Sequence, residues 1–184
     1  MSLLTLWDLL RKPAAPPVIV RPGSQPTRSK RTRAKSPRAT PALDRYQTME
    51  RTMLAEHNIR VRKWRTSRSG VAWEVHYRDG TISRLIESPR PRGPISAAIF
   101  LHEVGHHAIG FNTYRPRCLE EYHAWRYSLE QMERWSLNIT QRVLDRRHDA
   151  LHYAIAKARR RGLKRLPAEL IPYLEPRRSP TLAS

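Results

Sequence analysis

The chain has 184 residues, of which 35 are lysine or arginine and 16 are aspartate or glutamate, so its formal net charge is +19. This length accommodates one compact domain with a single core and flanking tails, and the basic excess points to nucleic acid as a partner. A single cysteine excludes an intramolecular disulfide framework and favours the cytoplasm.

The first forty residues fall into two segments of different composition. Residues 1–10 are apolar, but they are short, lack a basic start and include Asp8, so they predict neither a signal peptide nor a transmembrane segment. We expect them to form a short amphipathic segment that docks on a partner protein, with a membrane surface as the alternative. Residues 11–40 carry nine basic residues, six prolines and no acid, a composition that predicts a disordered tail. The tail's candidate nucleic-acid contacts, for which a solvated linker is the alternative interpretation, are Arg28, Lys30, Arg31, Arg33, Lys35 and Arg38.

Residues 41–87 predict one helix followed by three short strands. The helix opens at Pro41 and continues to Glu56, with an apolar side formed by Leu43, Tyr46, Met49 and Met53. The first strand begins at Ile59, the second alternates apolar and polar residues over 71–77, and the third covers residues 81–87 after a turn at 78–80. We expect these strands to form a small antiparallel sheet.

A second helix, which is strongly apolar, begins at Pro94 and stops before Gly110. It contains the pattern His102-Glu103-Val104-Gly105-His106. Because an α-helix turns about 100° per residue, the two histidines project from one face within reach of a single ion, and Glu103 lies beside them. Zinc accepts imidazole ligands, and a carboxylate beside it can take a proton from a metal-bound water. The alternative is a core helix whose histidines only form hydrogen bonds, although burying these polar groups without partners is costly.

A third helix, over residues 118–135, offers a third metal ligand. Apolar residues recur along it at intervals of three and four. In a helical projection Glu121 lies roughly 40° from the centre of this apolar stripe, whereas Glu120 lies roughly 140° away and is expected to face solvent. Glu121 is therefore the better candidate ligand. Cys118 also projects onto the stripe, but a lone cysteine in such a place is more often a small buried apolar residue.

Taken together, these residues resemble the compact gluzincin zinc metallopeptidases, especially the ImmA/IrrE-like group. The resemblance covers residues 42–137 and is carried by the HEVGHH segment and by Glu121-Tyr122-His123-Ala124-Trp125. It implies a minimal gluzincin-like α+β domain, with the antiparallel sheet packed on the HExxH helix and with further helices around it. Carried over by position, His102, His106 and Glu121 bind one zinc per chain and Glu103 is the general base. Trp125 departs from the family, which often has Asp or Asn there to orient a ligand histidine.

The resemblance also implies a protein or peptide substrate. In the family, a strand edge beside the metal helix holds an extended peptide by main-chain hydrogen bonds. The candidate residues for this strand are Thr81, Ile82, Ser83, Arg84, Leu85 and Ile86. Candidate donors to the oxyanion, or outer-shell groups, are His123, Tyr122 and Tyr114.

Residues 138–176 predict a basic helical extension of the 41–137 core, followed by a short tail at 177–184. The main helix covers residues 143–161, and prolines at 167 and 172 break the chain after it. His148 and His152 are four residues apart, but the arginines beside them disfavour a second metal site. Further nucleic-acid candidates at the end of this helix are Lys157, Arg159, Arg160, Arg161, Lys164 and Arg165.

Two functional hypotheses follow from the sequence. The first is a zinc-dependent peptidase that hydrolyses an amide bond through a Glu-activated water, recruited to nucleic acid or to nucleic-acid-bound proteins by its basic segments. The second is a non-catalytic nucleic-acid-binding or structural protein on a gluzincin-like scaffold. An intact Glu103 favours the first hypothesis, because a purely structural zinc site has no use for a general base.

Overall fold

The computed structural model describes residues 41–177, which form an α+β fold. The predicted N-terminal segments 1–10 and 11–40, with their candidate nucleic-acid residues, lie outside the described residues, as does 178–184. The elements in chain order are α1 (Pro41–Glu56), β1 (Ile59–Arg65), β2 (Val71–His76), β3 (Ile82–Pro89), α2 (Pro94–Ile109), α3 (Arg117–Arg134), α4 (Gln141–Arg160) and a short 3-10 helix (Ala168–Tyr173). The predicted helices and strands are therefore confirmed in type and order.

The sheet is mixed, and the prediction of an antiparallel sheet was wrong. The strand order is β1-β3-β2, with β1 parallel to β3 and β2 antiparallel to β3. The two later strands form a hairpin through the turn between Tyr77 and Thr81. Residues 66–70, in contrast, carry the chain across the end of β3, so that β1 and β2 pair with opposite sides of it.

This topology also corrects the predicted substrate strand. Residues 84–87 of β3 pair with β1 on one side and with β2 on the other. Because this part of the strand has no unpaired main-chain edge, residues 84–86 of the predicted segment 81–86 cannot hold a peptide by strand addition, and residues 82 and 83 are paired with β2 on one side only. The open edges of the sheet belong to β1 and β2. The prediction failed because the sequence places β3 next to the metal helix in order but does not reveal which strand lies at the centre.

Local sequence signals fix both ends of α2, the helix that carries the HExxH pattern. Pro94 follows the N-cap Gly93, and the Ser96 hydroxyl accepts hydrogen bonds from the backbone N–H groups of Arg92 and Gly93. Gly110 ends the helix with φ of 79°, a left-handed conformation that favours glycine. Every residue from Ala97 to His107 is buried, so the helix runs through the interior of the domain.

The hydrophobic core joins all four helices to the sheet. Met49 and Met53 of α1, Phe100 of α2, Trp125 of α3 and Leu151 of α4 all belong to it. The extension predicted for residues 138–176 thus packs on the same core as the preceding elements, through α4 and the 3-10 helix. Within residues 41–177, none of the helices is both long enough and apolar enough to cross a membrane.

A close approach between α2 and α3 sets the position of the candidate site. At Gly105, an added Cβ would lie 2.9 Å from the carbonyl oxygen of Ala124, so only glycine fits this crossing without a shift. One helical turn away from Ala124, the buried Ser128 hydroxyl donates a 2.7 Å hydrogen bond to the carbonyl of Ala98. These contacts fix α3 against α2 on the side where α2 carries its histidines.

Candidate metal centre

Three side chains from α2 and α3 converge on one point. His102 and His106 lie one turn apart on α2, and Glu121 reaches them from the first turns of α3. One potential ligand atom from each residue lies within 4.8 Å of the other two. The Glu121 Oε2 atom is 3.3 Å from His102 Nε2 and 3.7 Å from His106 Nε2. The structure thus brings together the three residues that the sequence predicted as ligands, in a group that could hold a metal ion.

The spacing of these atoms suits a small tetrahedral ion. Ligand atoms about 2.0–2.1 Å from zinc, at the corners of a tetrahedron, lie about 3.3–3.4 Å from one another. The distances from Glu121 to the two imidazoles are close to this value. The donor set of two imidazoles and one carboxylate is also one that zinc accepts.

The protonation states of the three groups are strongly coupled. Burial lowers the pKa of His102 to about 4, so this ring is neutral and its lone pair is available. Burial also opposes the charged form of His106, but the nearby carboxylates of Glu120 and Glu121, 3.5 and 3.7 Å away, outweigh it and raise the pKa to about 9. For Glu121, the two imidazoles beside it overcome the effect of burial and hold the pKa well below its usual range. A metal must therefore displace a proton from His106, and its affinity should increase with pH.

Glu103 lies beside the ligand group and is almost completely enclosed. Its side chain is 5% exposed, and burial raises its pKa to about 7. One wall of its enclosure is the backbone at Gly70, where an added Cβ would lie 2.3 Å from Glu103 Oε1. A glycine immediately before β2 therefore leaves the room that this carboxylate occupies. Nothing in the sequence around Gly70 signals this contact.

Glu120 is buried, and the prediction that it faces solvent was wrong. Its exposed fraction is 0%, and its Oε1 atom is 3.5 Å from His106 Nδ1. The loop before α3 folds over this side chain, and the backbone N–H of Asn112 donates a 2.7 Å hydrogen bond to Oε2. Arg117 lies 3.3 Å from Oε1. A helical projection assumes that only one face of α3 is covered, whereas this loop covers a second face. Glu120 therefore sits where it can orient His106, the role that the family gives to a different position.

Trp125, which stands where the gluzincins that the sequence resembles often have Asp or Asn, contacts the other candidate ligand histidine. Its ring stacks on the His102 imidazole with centroids 4.5 Å apart and an angle of 28° between the planes. Within the described residues, the buried Nδ1 atoms of His102 and His106 both lack a hydrogen-bond partner, but Glu120 Oε1 lies 3.5 Å from His106 Nδ1. His102 is therefore held by aromatic packing, whereas His106 has a carboxylate beside it.

His107 and Cys118 are not part of the ligand group of the described residues. His107 Nε2 donates to the carbonyl of Leu85 over 3.1 Å, which ties α2 to the central strand. Cys118 is 1% exposed, and burial raises the pKa of its thiol. Each of them thus behaves as a buried structural residue.

The metal group opens onto a cleft of about 940 Å³. Its near end is formed by His102, Glu103 and Glu121, together with Ser69 and Gly70 of the loop before β2. Its long wall is one face of α4, and Arg146 on this wall also donates a 3.3 Å hydrogen bond to the carbonyl of Arg68. The residues of α4 and its C-terminal end that line the cleft are Arg146, Asp149, Ala150, Tyr153, Ala154, Lys157, Ala158, Arg161, Gly162 and Leu163.

The structure does not bring the three candidate oxyanion donors to this cleft. The rings of Tyr114 and His123 stack with centroids 3.7 Å apart. Tyr122 packs edge-on against Tyr173 of the 3-10 helix, and the Arg147 guanidinium lies 5.6 Å from its ring centre. None of the predicted three is among the described residues that line the cleft. Arg146 and Tyr153 line the cleft instead. Arg146 lies four residues before Ala150 on α4 and Tyr153 lies three residues after it, and this helical spacing is the sequence signal that could have identified both.

The C-terminal basic candidates separate into two groups. Lys157 and Arg161 line the cleft, whereas Arg159, Arg160, Lys164 and Arg165 are exposed elsewhere. His148 and His152 each bond to a backbone carbonyl of the C-terminal segment, at Glu175 and Tyr173. The second histidine pair therefore fastens this segment to α4 and does not form a metal group among residues 41–177.

Compared with protein-family models, curated proteins and solved structures, the chain matches none of them.

Proposed function

We propose that this chain is a zinc-dependent peptidase that hydrolyses an amide bond in a protein or peptide. The observation that carries the proposal is the convergence of His102, His106 and Glu121 on one point, beside a cleft that is lined by His102, Glu121 and Glu103. The order of elements supports it as well: an HExxH helix inside an α+β domain is followed by a helix with a third ligand. This arrangement resembles a minimal gluzincin, and the ImmA/IrrE-like assignment is part of the proposal.

The number of ligands favours catalysis over a structural role for the metal. Structural zinc sites are closed by four protein ligands, whereas catalytic sites use three and leave one position for water or substrate. The ligand group of the described residues has three members and borders a cleft. Glu103 is enclosed beside this group and lines the cleft, where a carboxylate can take a proton from a reacting water.

Each residue has a defined task in the proposed reaction. Zinc, when bound, supplies a Lewis acid that polarises the carbonyl and lowers the pKa of a coordinated water. Glu103 takes the proton from the attacking water and delivers it to the departing amine. Burial raises the pKa of Glu103 to about 7 in the metal-free protein, and the charge of a bound zinc would lower it towards the carboxylate form that accepts a proton. Glu120 and Trp125 keep the two imidazoles in position.

The first test is metal content, measured by elemental analysis on wild type, Glu121→Ala and Glu130→Ala. Glu130 is a matched control, because it lies on the same helix but is 58% exposed and outside the ligand group. We expect one zinc per chain in wild type and in Glu130→Ala, with a marked loss in Glu121→Ala. Failure of the wild type to take up zinc would refute the proposal.

The second test separates metal binding from catalysis. Glu103→Gln should bind zinc as wild type does and lose hydrolysis of a peptide library followed by mass spectrometry. Cleavage by this variant at the wild-type rate would refute its role as the general base.

The alternative function is a non-catalytic nucleic-acid-binding or structural protein, for which the net charge of +19 is the favouring observation. It predicts zinc uptake without cleavage of any peptide, together with salt-dependent binding to DNA or RNA. The two functions can also combine, since basic segments such as residues 28–38 would recruit a peptidase to nucleic-acid-bound substrates.

A further inference from the structure

The face of α4 that lines the cleft carries small side chains beside the candidate metal centre. Ala150, Ala154 and Ala158 follow one another at intervals of four residues along the cleft, so small side chains occupy consecutive turns of one helix face. Larger side chains flank them. Among these, Tyr153 is 62% exposed although it lines the cleft. The core-facing side of the same helix is different, since Val143, Leu151 and Ile155 are buried there.

The charge of this wall is positive. Arg146 lies at the metal end, and Lys157 and Arg161 lie at the far end. The carboxylate that the described part of α4 contributes to the cleft is Asp149, which accepts two hydrogen bonds from Arg177, at 2.7 and 2.9 Å. Because the positive charge of Arg177 neutralises the negative charge of Asp149, the net charge of the wall is that of Arg146, Lys157 and Arg161.

We propose that this cleft binds an extended, acidic polypeptide segment. The inference rests on the proposed function and specifies its substrate class. From Arg146 to Arg161, a helix with a rise of 1.5 Å per residue extends about 22 Å, which matches about six or seven residues of extended chain. The small side chains of Ala150, Ala154 and Ala158 leave room for the main chain of a bound peptide to approach α4. Lys157 and Arg161 attract carboxylates of the peptide several residues away from the bond to be cleaved. Arg146 attracts one close to it.

The composition of the cleft favours polypeptide over single-stranded nucleic acid. Single-stranded nucleic acid is held by a basic groove and by several aromatic rings on which successive bases stack. The α4 wall has one exposed ring, Tyr153, so successive bases would have little to stack on. A peptide, in contrast, can place its neutral amide at the metal and its acidic side chains beside the cations of the wall.

The experiment measures binding of three fluorescein-labelled peptides of equal length, rich in glutamate, glutamine or lysine. Binding is followed by fluorescence anisotropy with the full chain, loaded with zinc and carrying Glu103→Gln so that no peptide is cleaved. A double variant, Lys157→Glu with Arg161→Glu, reverses the charge at the far end of the cleft. Its matched control, Arg159→Glu with Arg160→Glu, makes the same change in net charge at exposed positions of the same helix that do not line the cleft.

We expect the glutamate peptide to bind at least about fivefold more tightly than the glutamine peptide, from two or three cation–carboxylate contacts. The cleft variant should remove this preference and the control variant should keep it. If the cleft variant and the control variant lose affinity for the glutamate peptide equally, the peptide is attracted by the net charge of the protein alone, and the proposal is overturned. A single-stranded oligonucleotide whose binding is lost in the cleft variant but kept in the control would overturn it in favour of nucleic acid.

A parallel assay of hydrolysis by zinc-loaded wild type distinguishes failure of this inference from failure of the proposed function. Cleavage of glutamate-rich and glutamine-rich peptides at equal rates would support the peptidase and overturn the acidic preference. Selective binding of the glutamate peptide with no cleavage of any peptide would support the acidic cleft and overturn the peptidase.

Discussion

Gly70→Ala tests whether the position of Glu103 matters for catalysis, without altering any residue that carries the chemistry. The added Cβ would lie 2.3 Å from Glu103 Oε1, 2.5 Å from Cγ and 2.6 Å from Cδ. Real Cβ atoms essentially never approach a neighbour closer than 3.0 Å. Relief of these contacts therefore requires the Glu103 side chain, or the backbone that carries Gly70, to move by about 0.7 Å or more.

A displacement of this size is large on the scale of catalysis. Misplacing a reacting group by about 1 Å costs about a hundredfold in rate. We therefore expect Gly70→Ala to hydrolyse peptides about 10- to 100-fold more slowly than wild type, mainly through kcat. The substitution leaves all three candidate metal ligands in place, and the three atoms nearest to the added Cβ all belong to Glu103, so zinc content should stay at one per chain. The assay combines peptide cleavage with elemental analysis and circular dichroism.

Gly93→Ala is the matched control for this substitution. An added Cβ at Gly93 meets nothing within 4 Å, and the backbone there is extended, with φ of −172°. This variant should keep both its zinc and its rate. Wild-type hydrolysis by Gly70→Ala would refute the reasoning, because it would mean that Glu103 has no fixed position or no part in the reaction.

Three further predictions concern the support of the metal group. Glu120→Gln should weaken zinc affinity by about tenfold, because His106 loses a charged partner; competition with a chromogenic chelator measures this. Gly105→Ala should lower the free energy of unfolding by about 1–2 kcal/mol in chemical denaturation, because the clash with the Ala124 carbonyl outweighs the better helix propensity of alanine. Burial raises the pKa of Glu103 from 4.5 to about 7, so the contribution of this one group to the free energy of unfolding of the metal-free protein is up to about 3 kcal/mol less favourable above pH 7 than below pH 4.5. Because His102 titrates over the same range with the opposite sign, this contribution is read from the difference between wild type and Glu103→Gln. Glu103→Gln should remove this loss; denaturation curves that are parallel for both proteins across this range would contradict the prediction.

Much of the secondary structure could be predicted because its signals are local. Pro94 and Gly110 mark the ends of α2, and the apolar spacing of Tyr46, Met49 and Met53 marks the buried side of α1. The histidine pair of α2 could be found for the same reason, since both residues lie on one helix and their geometry depends only on its pitch. The prediction of Glu121 as the third ligand needed one further assumption, which is that α3 presents its apolar stripe to α2.

The features that sequence reasoning missed are all determined by contacts between distant segments. The order of strands depends on which edge of β3 each neighbour takes, and no residue near Ile59 or Val71 encodes that choice. The burial of Glu120 depends on the loop at Asn112, which covers a helix face that a projection leaves open. The packing of Gly70 against Glu103 likewise joins residues that are far apart in the chain.

The metal group is best understood as a set of charges, enclosed to different degrees, that are tolerable only together. Glu121, whose side chain is 25% exposed, would be a partly desolvated carboxylate on its own, and His106 would be a costly buried cation; each lowers the cost of the other. The contact between Glu121 and His106 depends on Gly105. Because this residue has no side chain, α2 and α3 can cross closely, and the first turns of α3 then reach the histidines of α2. The core packing of α2 against α3 and the geometry of the candidate site are therefore one structural feature. A change that separates these helices should affect stability and metal affinity together, whereas a change on the α4 wall should alter binding in the cleft and leave both intact.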